Sequence, residues 1–166
     1  MKITDFTKKY KITDVVPREI EAHVYDVANF TETLQSFFEI KFDGLVIVNF
    51  SGDNSGRIKM SEEYLAFFFK ILLRSLNGER ILNLEIIQNH SRLCIITTAD
   101  GGVTVDSSEL SLLVKSARNA GFEIERVQNG FMIYTALITS KELTLRARSA
   151  PRGLFEKKLY QIFFGK

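Results

Sequence analysis

Two short stretches of this sequence combine residue types that could do chemistry. The first holds one of only two histidines, His23, with the carboxylic acid Asp26 three residues later. If this stretch is helical, the two side chains lie on one face, where the carboxylate could orient one imidazole nitrogen. The second stretch is Asp100-Gly101-Gly102, in which an acid precedes two glycines that let the backbone approach a ligand closely. These stretches are the candidate sites.

Each stretch also has a simpler interpretation. Asp-Gly pairs commonly form turns, and we favour a turn over a ligand contact for Asp100. For His23 we favour a surface or helix-capping role, and His90 falls in a predicted hairpin turn. With two histidines and one cysteine, Cys94, the sequence has no zinc-ligand spacing, no disulfide framework and little support for a Ser-His-Asp hydrolase. We therefore assign no catalytic residue and expect no metal site from these residues.

Composition indicates an ordinary globular chain. It has 166 residues, 45% of them hydrophobic and 25% charged, with a net charge of +2, which fits one domain. No apolar stretch approaches the roughly 18 residues needed to span a membrane. The charged N-terminus lacks an apolar signal-peptide core, so we expect a cytoplasmic protein.

Charge is concentrated at the C-terminal end. Residues 143–166 contain six basic residues and one acidic residue. Such asymmetry can mark a surface for an acidic partner, nucleic acid or lipid headgroups, but a solvated basic tail is the favoured interpretation. Nucleic acid ranks last, because the segment has no groove-reading motif and no series of stacking aromatic residues.

The elements that must position the candidate residues follow from apolar periodicity. Helical spacing from about Pro17 to Glu39 predicts one long or two short helices. The β-branched run 45–50 predicts a strand, and the turn-rich segment 51–56 a loop. Ser61 is a candidate cap for the best-defined helix, which ends at Gly78. Its three consecutive phenylalanines turn by about 100° per residue, so we expect at least one ring to point off the main core, toward the N-terminal helix or a partner.

Downstream patterns predict several further elements and one fold class. In order, they are a hairpin of strands 81–87 and 93–98, a helix from an Asp106–Glu109 capping box to Gly121, strands 122–127 and 132–138 around a type I′ turn at Asn129-Gly130, an edge strand 143–148 and a helix 154–163. Few helices against many strands predict an α/β (α+β) two-layer sandwich. Its sheet is mixed and mostly antiparallel, with the helices on one face.

The chain is predicted to form one compact domain overall. Within it we distinguish an N-terminal arm and helical segment, 1–39, a core, 40–138, and an additional strand and basic amphipathic helix, 139–166. No internal repeat or long linker divides these parts.

Two stretches of the core resemble the histidine-kinase-like ATPase domain, also called the GHKL or Bergerat fold. Residues 61–76, SEEYLAFFFKILLRSL, are similar to the N-box helix of that family. Residues 110–124, LSLLVKSARNAGFEI, followed by 129–137, NGFMIYTAL, are similar to its closing helix-strand-strand unit. Between them, 97–102, TTADGG, stands where the family has its Asp-x-Gly-x-Gly adenine-binding motif. The resemblance implies the family's fold, signal transduction, and ATP with magnesium as ligands.

The same resemblance shows departures at the residues that would do the chemistry. It implies that Ser75 stands where an N-box asparagine binds magnesium, and Ile71 where an acid or histidine activates the attacking group. A serine hydroxyl is a poorer ligand for a hard cation than an amide carbonyl, and isoleucine cannot transfer a proton. Of the adenine motif, Asp100 and Gly102 remain, with Thr104 in place of the next glycine. These departures remove the family's metal and proton chemistry.

The resemblance also implies a missing lid. Only residues 103–106 separate the Asp-Gly-Gly stretch from the capping box, where the family has a long glycine-rich segment over the phosphates. Phosphoryl transfer depends on positioning and charge neutralisation. We therefore predict a degenerate, pseudokinase-like member that acts as a regulatory or scaffolding partner with weak or no ATP binding; if it is active, it is an ATP-dependent protein kinase. Its nucleotide-binding candidates, for ATP or ADP with magnesium, are Asp100, Gly102 and Ser75.

Two alternatives remain open from the sequence. One is a functional ATP-binding kinase or anti-sigma-type regulator that uses divergent contacts around Asp100 and Gly102. The other is a histidine phosphotransfer protein with His23 as phosphoacceptor, although residues 15–39 are too few for two long helices. The expected partner is a signalling protein, namely a kinase, a response regulator or a sigma-factor regulator, and a homodimer is an open possibility.

Overall fold

The computed structural model of the chain describes residues 21–42, 44–75, 81–138, 150–151 and 153–164. In chain order the described elements are β1 (His23–Asp26), α1 (Val27–Lys41), β2 (Leu45–Ser51), β3 (Arg57–Met60), α2 (Glu62–Arg74), β4 (Ile81–Gln88), β5 (Arg92–Ala99), α3 (Ser107–Ala120), β6 (Glu123–Val127), β7 (Gly130–Ala136) and α4 (Leu154–Phe164). The predicted edge strand 143–148 lies outside the described residues. No helix among the described residues is long and apolar enough to cross a membrane.

The main sheet confirms the predicted fold class. Its strands lie in the order β2-β4-β5-β7-β6, with β2 and β4 parallel and the other neighbours antiparallel. Alternate residues of the central strands are buried in the same core as the helices: Leu82, Leu84, Ile86, Leu93, Ile95, Phe131 and Ile133. This alternation is what a sheet covered by helices on one face requires.

Helix α2 lies at the centre of the core. Phe67, Phe68 and Phe69 are 6%, 1% and 0% exposed, so no ring points to a partner, whereas Phe69 meets the N-terminal helix, as one of the two predicted alternatives requires. The reason is that α3 and α4 contact α2 and that Phe38 of α1 packs edge-on against Phe69 at 5.2 Å between ring centroids. A helix enclosed on several sides buries residues all round its surface.

The N-terminal part of the described chain differs from the prediction. Instead of continuing a helix from Pro17, residues 23–26 form β1, which pairs antiparallel with β3, and α1 begins only at Val27. Strand β3 was not predicted at all, although its buried Ile58 and Met60 alternate with exposed residues. Strands β1 and β3 have four residues each, too few for the sequence pattern to indicate a strand. Each is formed because it pairs with the other, which is distant in sequence.

Local capping signals agree with the structure in α3 more closely than in α2. Asp106 accepts a hydrogen bond from Glu109 N at 2.8 Å, Glu109 Oε1 accepts one from Asp106 N at 3.2 Å, and Gly121 ends the helix with φ 103°, all as predicted. Ser61 occupies the cap position of α2, but its side chain makes no capping hydrogen bond. The hydroxyl of Ser61 therefore does not cap this helix.

The predicted type I′ turn at Asn129-Gly130 is wrong by one residue. Val127 pairs with Gly130, so Gln128 and Asn129 form the turn, and of these only Asn129 has positive φ, 66°. Glycine is required at 130 for another reason, because a Cβ there would collide with the carbonyl oxygen of Thr97 on the neighbouring strand. Close approach of two backbones, rather than backbone conformation, explains this glycine.

Candidate functional site

The structure brings the C-terminal end of α2 close to the segment that connects β5 to α3. Ser75 follows the last residue of α2, and Asp100 and Gly102 lie in the turn after β5. The backbone N–H of Thr104 donates to the carbonyl oxygen of Ser75 at 3.1 Å. Asp100 and Gly102 thus lie in one turn, and the segment that follows this turn is hydrogen-bonded to Ser75, the third nucleotide-binding candidate.

Ser75 is buried, and its hydroxyl already has partners. It donates to Ile71 O at 3.0 Å and to Glu109 Oε2 at 3.2 Å, and these two acceptors share its one hydrogen. Glu109 is the same residue whose other carboxylate oxygen completes the capping box with Asp106. The side chain in the implied magnesium position is therefore directed at an acid of the protein itself.

The N-terminus of α3 is consequently occupied by carboxylates. The first backbone N–H groups of a helix normally attract an anion, because they are unpaired and carry the positive end of the helix dipole. Here Asp106 accepts from the backbone N–H of Glu109, and Glu109 places a second carboxylate beside it. A phosphate approaching this end would meet two negative side chains.

The Asp100-Gly101-Gly102 stretch forms a turn. Gly102 has φ 82° and donates from its N–H to Ala99 O at 2.9 Å, while the Asp100 side chain is exposed. The next residue, Val103, is 8% exposed and packs in the core, with its carbonyl oxygen accepting from Arg126 Nη2 at 3.3 Å. The chain thus returns to the core immediately after the turn, and the described residues between Gly102 and α3 form no long loop that could cover a ligand.

His23 lies on β1 and not on a helix, so the predicted pairing with Asp26 is wrong. Residues three apart in a strand point to opposite faces. Asp26 instead bonds Arg57 Nε at 2.9 Å, and His23 Nδ1 lies 3.1 Å from Glu62 Oε1. The other imidazole nitrogen lies 3.5 Å from Glu21 Oε1. Both nitrogens of His23 therefore face carboxylates.

Glu62 forms the centre of a buried polar cluster that sequence reasoning missed. This first residue of α2 is 4% exposed, and besides His23 it accepts a hydrogen bond from Tyr25 Oη at 3.1 Å. Burial raises the pKa of Tyr25 well above its usual range, and the charge of Glu62 and the hydrogen bond raise it further. Glu62 resembles any first-turn acid in sequence, and its partners are 37 and 39 residues away.

A metal ion at this site would have few ligands from the described part of the chain. There, no group of three or more His, Cys, Asp or Glu residues is arranged to hold a metal ion. Ser75 and Glu109 contribute two oxygens at one place, fewer than the six or more ligands that Mg²⁺ or Ca²⁺ requires, so water or substrate would have to supply the rest.

Comparison with known proteins identifies the fold. No protein-family model and no curated protein matches the sequence. Among solved structures, the catalytic domain of histidine kinase ThkA in a nucleotide-free form matches with a TM-score of 0.50 and 11% identity, over 70% of this chain and 96% of that domain. The cytoplasmic segment of histidine kinase QseC matches with a TM-score of 0.49 and 10% identity, over 82% of this chain and 90% of that one. Histidine kinase AdeS of Acinetobacter baumannii matches with 0.49 and 11%, over 82% and 75%.

The match to the ThkA domain, with the mixed sheet described above, confirms the predicted resemblance at the level of fold. The chain has a histidine-kinase-like ATPase fold. At 11% identity the likeness extends to the fold alone.

Proposed function

We propose that this protein is a non-catalytic member of the histidine-kinase-like ATPase fold, acting in signal transduction as a regulatory or scaffolding partner with weak or no nucleotide binding. One observation carries the proposal, namely the hydrogen bond from Ser75 Oγ to Glu109 Oε2 at 3.2 Å. It uses the side chain in the implied metal position to hold a carboxylate at the end of a helix. A site with its own negative charge at this position repels phosphates.

Electrostatics supports this proposal. Two like unit charges 4 Å apart repel by about 4 kcal/mol at an effective dielectric constant of 20. A nucleotide triphosphate beside Glu109 and Asp106 would experience such repulsion unless a metal ion neutralised it. By the same resemblance, Ile71 stands where an acid or histidine would activate the attacking group, and its apolar side chain cannot transfer a proton.

The role of His23 is proposed to be structural. A buried carboxylate requires hydrogen-bond donors, and His23 and Tyr25 are the partners through which Glu62 is satisfied. This accounts for His23 without phosphotransfer. Incubation with a phosphorylated receiver domain is then expected to leave no acid-labile phosphate on the protein. Label that appears on the wild type and not on His23→Gln would establish the phosphotransfer alternative instead.

The main experiment is a calorimetric titration with ATP, ADP and a nonhydrolysable ATP analogue, each with and without magnesium. We expect no binding up to millimolar nucleotide, with the ThkA catalytic domain titrated in parallel as the positive control. Magnesium-dependent binding at micromolar affinity would contradict the proposal and favour a functional kinase or anti-sigma-type regulator.

A pair of variants tests the electrostatic reason. Glu109→Gln removes the charge while leaving an oxygen to accept from Ser75, and Glu63→Gln removes a charge at the opposite end of α2 as the matched control. Weak nucleotide binding by the first variant and not by the second would show that the carboxylate excludes phosphate. If both remain silent, the missing metal ligand and lid account for the silence.

A further inference from the structure

The C-terminal halves of α1 and α4 form an apolar ridge around the ring of Phe37, which is itself buried at 2% exposure. It consists of Phe37 and Ile40 of α1 with Tyr160, Phe163 and Phe164 of α4. Ile40 and Phe164 are 65% and 60% exposed, more than any other large hydrophobic residue in the described part of the chain. The rings are in mutual contact, with centroids 5.2 Å apart for Phe37–Tyr160 and 4.8 Å for Phe37–Phe163. The exposed part of the ridge is Ile40 and Phe164, and the half-buried rings of Tyr160 and Phe163 lie beside Phe164.

Two grooves of opposite charge flank the ridge, and Phe37 lines both. On one side lies an acidic groove of about 340 Å³, in which the charged lining residues are Glu32 and Glu156. On the other side lies a basic groove of about 320 Å³, in which the charged lining residues are Lys70 and Arg74. Lys70 Nζ donates to Ile162 O at 2.7 Å and so anchors α4, whereas Arg74 is exposed.

We propose that this surface binds the same surface of a second copy of the chain, forming a two-fold symmetric dimer. A two-fold axis that runs along the ridge, between the two grooves, places the acidic groove of each copy against the basic groove of the other. The surface is therefore complementary to itself. The exposed Ile40 and Phe164 then lie at an apolar centre with a charged rim, as in stable protein interfaces. The inference does not depend on the proposed function, since none of these residues belongs to the Ser75–Glu109 region.

Charge favours a second copy over other occupants. An acidic helix would match Lys70 and Arg74 but would face Glu32 and Glu156 across the ridge, and an anionic membrane would face the same two acids. Moreover, the apolar face of α4 that a membrane-surface helix would insert is already used, because Phe155 and Leu159 are buried in the core.

Sedimentation velocity of the full chain from about 1 to 500 μM tests the proposal, in the range where weak protein complexes dissociate. We expect a reversible dimer whose dissociation constant rises at least tenfold in Ile40→Ser. Leu45→Ser is the matched control, since Leu45 is 57% exposed on β2, and it is expected to dimerise as the wild type does. Circular dichroism verifies that each variant folds.

Charge reversal provides a second readout that misfolding cannot imitate. Arg74→Glu and Glu32→Arg are each expected to weaken their own dimers at least tenfold. A one-to-one mixture of the two single variants is expected to restore association, because each of the two contacts in the mixed dimer then joins opposite charges. The proposal is overturned if the wild type stays monomeric throughout, if Leu45→Ser weakens the dimer as much as Ile40→Ser, or if the mixture fails to associate.

Discussion

The two ends of α2 both make hydrogen bonds that involve a carboxylate, but the two contacts differ in their expected role. At the first residue, Glu62 is 4% exposed, and its carboxylate is held by His23 and Tyr25 of β1. Past the last residue, Ser75 gives its hydroxyl to Glu109, an acid that already belongs to the capping box of α3. Each end joins α2 to another element through a carboxylate. The burial differs, and with it the expected consequence of breaking the contact.

This difference in burial separates a contact that folding requires from a contact at the candidate site. A buried charge that loses its partners destabilises the fold, because water cannot replace them. The half-buried Glu109 has a backbone N–H and solvent as substitutes. We therefore expect the N-terminal cluster to control stability, and the C-terminal contact to have its main effect on what the surface can bind.

The largest effect is expected for Glu62→Ala. It leaves the buried Tyr25 hydroxyl and one nitrogen of the partly buried His23 without their acceptor, and should lower the free energy of unfolding by about 3 kcal/mol. Urea unfolding followed by circular dichroism measures it. The adjacent acid provides the control, since Glu63→Ala should cost no more than about 1 kcal/mol, through the helix dipole. Equal losses in the two variants would contradict the comparison.

Tyr25→Phe should have an intermediate effect that depends on pH. At neutral pH it removes one donor to Glu62 and should cost about 1 kcal/mol. Because the pKa of Tyr25 is raised in the folded state, the stability due to its neutral form is fully present below about pH 10 and is lost as pH rises further, when only the unfolded chain ionises.

Urea unfolding of wild type and variant between pH 8 and 11 tests this direction. The stability of the wild type should fall more steeply above pH 10 than that of Tyr25→Phe, so the two curves should converge. Lysines and the other tyrosines titrate in the same range in both proteins and cancel in the difference. Parallel curves would show that the phenol of Tyr25 is not held neutral by its buried position.

The smallest effect is expected for Ser75→Ala. Glu109 keeps its hydrogen bond to Asp106 N, so the loss in unfolding free energy should be about 0.5–1 kcal/mol. Nucleotide titration should stay silent, because the charge of Glu109 remains. Ser108→Ala removes a hydroxyl one residue from Glu109 and serves as the control. A loss as large as that of Glu62→Ala would mean that the two ends of α2 are equivalent after all.

Sequence patterns predicted best what depends on neighbours along the chain. The capping box of α3, its end at Gly121 and the apolar periodicity of α2 are all decided within one or two helical turns. The prediction of a helix through His23 was wrong because helical and strand periodicity cannot be distinguished over four residues. Pairing with β3 makes these residues a strand. The predicted position of the hairpin turn was wrong by one residue, because Gly130 is required by its close contact with Thr97 and not by its own backbone conformation.

At the candidate site the sequence pointed to positions but not to partners. Ser75, Asp100 and Gly102 were found through the resemblance to the ATPase fold, and the capping box of Asp106 and Glu109 was predicted independently. Nothing in the spacing indicated that Glu109 would also accept the Ser75 hydroxyl, 34 residues away. The same limit hid the bond between His23 and Glu62.

The sequence by itself determined the fold class and the order and approximate bounds of α2, α3 and α4. These follow from periodicity, caps and residue type, which act over short distances along the chain. Only the tertiary structure decided the pairing of β1 with β3, the partner of each carboxylate and the charged grooves beside Phe37. Those features join residues from separate elements, and their contact energies exist only once the core has brought the elements together.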